Sequence, residues 1–111
     1  MPPAPPAGVA VSASGPLPAA YALEQNYPNP FNPSTEIRYQ LPADSRVSVK
    51  IFNLLGEEVA TLVNGEQAAG NRSVQWNASV PSGIYFYQLE ATGLAGARSS
   101  YHEVRKMMLL K

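Results

Sequence analysis

The sequence has 111 residues, close to the size of one small domain, and its eight basic residues balance eight acidic ones, so no bulk field draws it to nucleic acid or to an anionic membrane. Cysteine is absent, which excludes disulfide staples, thiolate nucleophiles and cysteine-ligated metals together. A chain this short falls well below a Rossmann or TIM-barrel enzyme and near the length of an immunoglobulin-like sandwich.

Residues 1 to 20 hold six prolines and six alanines, with no charge and no aromatic ring. Proline at that density keeps a backbone extended and blocks helices and sheet ladders, so a flexible linker is expected over 1–20 and a folded unit over 21–111. Met1-Pro2-Pro3 lacks the charged and apolar regions of a signal peptide, and no apolar run reaches the roughly 18 residues of a membrane-spanning helix. The chain is expected to be cytosolic or a piece of a longer exported protein, without direct membrane insertion.

From Tyr21 onward the hydrophobic period is two. A strand is possible over Ala22 to Tyr27. Ile37, Tyr39 and Leu41 alternate with Glu36, Arg38 and Gln40 before the turn Pro42-Ala43-Asp44-Ser45; Val47, Val49 and Ile51 alternate with polar residues until Asn53-Leu54-Leu55-Gly56. Val59 to Val63 is a short apolar stretch with Asn64-Gly65, a hairpin dipeptide, predicted to end it; Glu57 to Leu62 could form one helical turn but carries no cap or length for it. Gly70-Asn71 is predicted as a second turn, followed by a strand that carries Val74 and Trp76 and stops at Asn77. Ile84 to Ala91 is rich in strand formers, with Tyr85, Tyr87 and Leu89 on one face and Ile84 and Phe86 on the other, the mark of a central strand. Gly93, Gly96 and Ala97 form a loose turn, and Arg98 to Lys111 the last strand. Turn signals at this spacing predict an all-β, antiparallel sandwich of about seven strands, its core filled by Trp76 and the tyrosines.

The chemistry of the chain is sparse. The single histidine, His102, lies in an alternating strand with no second imidazole for a metal and no nucleophile spaced around it. Glu57 and Glu58 follow a glycine turn, where neighbouring acids face solvent rather than each other across a cleft. Phosphate-binding, zinc-protease and calcium-loop motifs are missing. No catalytic residue, metal site or cofactor is expected, and the chain is not expected to be an enzyme. Tyr85, Phe86 and Tyr87 are the candidates for a sugar platform, but alternation puts at most two of them on one face, which favours a core role.

Two stretches need more than composition. Asn26-Tyr27-Pro28-Asn29-Pro30-Phe31-Asn32-Pro33-Ser34-Thr35 combines three prolines with three asparagines and predicts a rigid lead-in that pins Tyr27 and Phe31 against the sandwich. Arg105-Lys106-Met107-Met108-Leu109-Leu110-Lys111 is an apolar strand bracketed by cations; on a sheet edge it would offer open main-chain donors and acceptors.

Together with Ile37 to Pro42, Val49 to Val63, Gly70 to Trp76 and Ser82 to Leu89, these stretches resemble the type A C-terminal sorting domain of the bacterial type IX secretion system, over about Leu23 to Lys111. Gly93 to His102 departs from that pattern in being longer and more polar. The resemblance implies an Ig-like sandwich that ends a secreted passenger in Bacteroidetes-type bacteria. It implies recognition by an outer-membrane translocon and its shuttle protein, then removal by a sortase-like peptidase, with passage through the periplasm to the cell surface or medium. The recognition residues it points to are Arg105, Lys106, Met107, Met108, Leu109, Leu110 and Lys111, with Tyr27, Pro28, Asn29, Pro30, Phe31, Asn32 and Pro33 as a second family motif. Main-chain pairing of the last strand with a receptor edge, and contact of Lys106 and Lys111 with acidic groups, supply the expected mechanism.

A monomer is expected, and the sequence ends at its motif, which favours sorting over the rival readings, a carbohydrate-binding module or a structural Ig-like spacer like that of flagellar hook-cap proteins. With most apolar side chains on other strands, the domain is expected to stay largely folded without its last few residues.

Overall fold

A computed structural model describes residues 17–95 and 100–111; most of the expected linker, and Gly96 and Ala97 of the expected loose turn, lie outside the described residues. Seven strands follow in order: β1 (Ala22–Leu23), β2 (Ser34–Leu41), β3 (Ser45–Phe52), β4 (Glu58–Gln67), β5 (Gly70–Asn77), β6 (Gly83–Gly93) and β7 (Ser100–Leu109). They form two antiparallel sheets, β1-β2-β5 and β4-β3-β6-β7, with no helix among the described residues. The predicted sandwich is present, with β6 central.

Period-two patterning explains which faces meet. Ile37, Tyr39 and Leu41 from β2 face Val47, Val49 and Ile51 from β3, Tyr85, Tyr87 and Leu89 from β6, and Met107 and Leu109 from β7 in one buried cluster. Trp76 is 6% exposed and packs between Phe31 and Tyr85, each ring centroid at 5.8 Å. No buried side-chain polar atom among the described residues lacks a hydrogen-bond partner.

Two turn expectations fail, and the segment that could have formed a helical turn is strand. Asn64-Gly65 is not a turn: both residues continue β4, opposite Ser48 and Val47. Full-length pairing with β3 overrides the dipeptide's turn preference, and the chain reverses instead after Gln67, where the amide of Ala69 donates to Asp44 Oδ1 at 2.9 Å. Gly70 and Asn71 begin β5, opposite Leu41 and Gln40. The helical turn over Glu57 to Leu62 is strand from Glu58 on, and register shifts against β3 at Val49/Lys50 and Ile51/Phe52 kink this edge strand.

The β3–β4 turn matches the sequence. Asn53 Oδ1 accepts from the amides of Leu55 and Glu57 at 2.9 and 3.0 Å, and Gly56 takes φ +82°, a left-handed conformation that other residues rarely adopt.

Candidate functional site

The lead-in segment and the last strand meet. From β1 the chain runs along the outer side of β7, the edge of the four-stranded sheet. Leu23 carbonyl accepts from Arg105 Nε at 2.7 Å. Gln25 Nε2 donates to Lys106 carbonyl at 2.9 Å. Asn29 Oδ1 accepts from Met108 N–H at 3.0 Å. Phe31 N–H donates to Met108 carbonyl and its carbonyl accepts from Leu110 N–H, both at 3.0 Å, forming a parallel bridge with Leu109. Prolines at 28, 30 and 33 suit this path, because they donate no amide that a ladder would have to satisfy.

Asn26 anchors the crossing from the interior. Fully buried, it donates its amide to Tyr87 Oη at 2.8 Å and its Nδ2 to Thr35 Oγ1 and Pro28 carbonyl at 2.9 and 3.1 Å. Tyr87 Oη in turn donates to Glu24 carbonyl at 2.7 Å. Burial pushes the Tyr87 hydroxyl up to about 12. Sequence reasoning placed Asn26 and Thr35 at the ends of the lead-in stretch but did not assign them this buried anchoring role. The signal was faint: an asparagine and a threonine flanking a proline-rich stretch.

These contacts correct three expectations. The edge of β7 is not an open template from the Lys106 carbonyl to the Leu110 amide, because the lead-in takes that carbonyl, both backbone groups of Met108 and the Leu110 amide. Tyr27 is not pinned to the sandwich: its backbone pairs with Glu36 in both directions, which turns the side chain out to 80% exposure, while Phe31 is buried as expected. The last strand is also not dispensable, since Met107 and Leu109 are core residues whose removal opens cavities and frees the lead-in.

The seven residues of the terminal block therefore divide. Met107 and Leu109 point inward, and Arg105 ties β7 to Leu23 and pairs with Glu103 at 3.2 Å. Lys106, Met108, Leu110 and Lys111 face outward. Of the second motif, Asn29 and Phe31 touch β7, whereas Tyr27, Pro28, Pro30, Asn32 and Pro33 are exposed.

Among the described residues the other candidate surfaces assemble no chemistry. The sugar platform is ruled out as drawn, because Tyr85 and Tyr87 are buried in the core and only Phe86 of the three faces outward, half-buried. His102 is exposed, opposite Glu90. Glu57 accepts from Asn53 Nδ2 at 2.8 Å, and Glu58 lies 3.7 Å from Lys50, so neither acid faces a cleft. A groove of about 440 Å³ runs over the three-stranded sheet past Glu24, Glu36 and Arg38; its Arg38 is already paired with Glu36 at 3.2 Å.

A family model described as the secretion system C-terminal sorting domain matches residues 25–98. Among solved structures, that of dimeric latent PorU from Porphyromonas gingivalis is similar in fold. Its TM-score is 0.62 at 16% identity, over 93% of this chain. The match takes in 10% of that protein's length. No curated protein matches.

Proposed function

The chain belongs to the secretion system C-terminal sorting domain family, the sorting domains of the type IX system, and from that premise we propose that it addresses a passenger to the outer-membrane translocon through the surface where the lead-in segment meets β7. A protein carrying it is secreted or displayed at the cell surface. In this reading the passenger crosses the periplasm, a shuttle protein and a sortase-like peptidase act after translocation, and the domain catalyses nothing itself. The supporting observation is that the two motif blocks, far apart in sequence, are joined by three hydrogen bonds between residues 29–31 and 108–110, with a fourth from the adjacent Gln25 to Lys106. A spacer has no need of such a junction with exposed apolar and cationic side chains at its rim.

The test fuses a reporter ahead of the 111-residue chain and fractionates two strains, one with a working type IX translocon and one without. Surface or medium location in the first and periplasmic retention in the second are expected. Identical distribution in both strains would overturn the proposal, and a reporter lacking the chain controls for leakage.

A further inference from the structure

Three observations lie together on the outer face of β6 and β7. The backbone edge of β7 is occupied from Lys106 to Leu110, so a partner can reach this region through side chains without displacing the lead-in. A shallow pocket of about 80 Å³ is lined by Asn29, Ile84, Lys106, Met107 and Met108, joining the two motif blocks. That is room for a single side chain and too little for a cofactor.

The third observation is electrostatic. Arg38, Lys50 and Arg105 each have a carboxylate oxygen within 4.0 Å, whereas Lys106, like Arg46, Arg72 and Lys111, forms no ion pair among the described residues; of these four, Lys106 is the one that lines the pocket. Its cross-strand neighbour is Phe86, and Ile84 stands opposite Met108. A lysine in that setting lays its stem along apolar neighbours and leaves its ammonium to solvent. Exposing Met108 to 38% and Leu110 to 51% beside it contributes nothing to the core.

We propose that this pocket docks an extended segment of a partner protein that presents an apolar side chain two residues from a carboxylate. Side chains at i and i+2 of a strand share one face about 7 Å apart, the same spacing that separates Met108 from Lys106 along β7. A partner strand laid over that face therefore seats its apolar side chain between Ile84 and Met108 while its carboxylate meets Lys106 Nζ. Burying the apolar side chain supplies most of the attraction, and the ion pair sets register and excludes basic partners. Asn29 fixes the pocket wall by accepting from Met108 N–H, so the lead-in takes part in recognition. The inference rests on the sorting reading and names the chemistry of the partner at that site.

The test uses the reporter fused to the full chain, with Lys106→Glu, Lys106→Arg and Met108→Glu, all at exposed positions, and Arg46→Glu on the same sheet but at its far end as a charge control. Thermal unfolding of the purified chains checks folding. Lys106→Glu and Met108→Glu are expected to lower surface reporter at least tenfold, whereas Lys106→Arg and Arg46→Glu stay within about twofold. Export of folded Lys106→Glu at the unmodified level overturns the inference and leaves the sorting reading standing. An equal loss in Arg46→Glu also overturns it, since net charge would then be the cause. Translocon-independent location of the unmodified fusion removes the sorting reading and this inference with it. As a readout independent of export, amide shifts of the isotope-labelled chain are followed with two synthetic peptides, one alternating glutamate with leucine and one alternating lysine with leucine. Movement of Ile84, Lys106 and Met108 with the first peptide alone is expected; equal movement with both, or none with either, overturns the pocket.

Discussion

The hydroxyl of Tyr87 lies between two backbone groups of the lead-in, accepting from Asn26 N–H at 2.8 Å and donating to Glu24 carbonyl at 2.7 Å. A phenolate cannot donate, so ionisation breaks the second bond and places a charge in a buried site. The folded-state value is therefore raised, to about 12, above the usual 10 of an unfolded tyrosine. The stability this group contributes is complete below pH 10 and is lost as pH rises from 10 through 12. Tyr39 and Tyr101 are raised as well, by burial first in each case. Alkaline titration followed by tyrosinate absorbance should thus show late-ionising tyrosines. Tyr87→Phe should remove one of them, cost about 1–3 kcal/mol at neutral pH by leaving two backbone groups without their partner, and reduce the fall in stability above pH 10. A second residue-scale expectation concerns Trp76. With Phe31 and Tyr85 against its ring, Trp76→Ala should cost about 3 kcal/mol or more in urea unfolding; a loss under about 0.5 kcal/mol would contradict a core role.

Among elements, β7 is the one whose meaning depends most on its neighbours. Asn29→Ala removes the side-chain acceptor of Met108 N–H and leaves that amide to water. Hydrogen exchange at Met108 should accelerate at least tenfold while the Met107 and Leu109 amides, which by strand alternation face β6, keep their protection. Unchanged exchange at Met108 would mean that Asn29 does not hold the edge. This clamp could not be read from the sequence, because a contact between residues 29 and 108 leaves no periodicity. The strands themselves were legible. In β2, β3 and β6 every second residue is buried, and alternation reports burial directly. β4 was legible only in part. Its inward side chains are half-buried and its pattern is broken by bulges, so local turn chemistry at Asn64-Gly65 outweighed pairing that only β3 could supply. The terminal block was visible as a motif, yet which of its residues face a partner depended on seeing Met107 and Leu109 in the core.

At the scale of the whole molecule, the sheets are tied by more than apolar contact. Tyr39 of β2 hydrogen-bonds Gln67 of β4. Tyr21, next to β1, donates to Ser45 Oγ of β3 at 2.9 Å while that hydroxyl donates to Ala43 carbonyl, and the Tyr21 ring stacks on Tyr101 of β7 at 5.7 Å. Arg105 and Tyr87 reach from the four-stranded sheet to the backbone beside β1. Neither sheet keeps a satisfied inner face once the other leaves, so the molecule should unfold in one step. Trp76 reports on the three-stranded sheet, and Tyr87 and Tyr101 report on the other. Denaturant titrations followed by tryptophan fluorescence, by near-ultraviolet tyrosine dichroism and by far-ultraviolet dichroism should therefore share one midpoint, unchanged by reductant because there is no cysteine. The same coupling bears on sorting. A surface built from Asn29, Ile84, Lys106 and Met108 exists only while residues from both ends of the fold are held together, so an unfolded chain does not display it. A lower midpoint for tyrosine dichroism than for tryptophan fluorescence would show the four-stranded sheet opening alone, and the composite surface would then be separable from the rest of the fold.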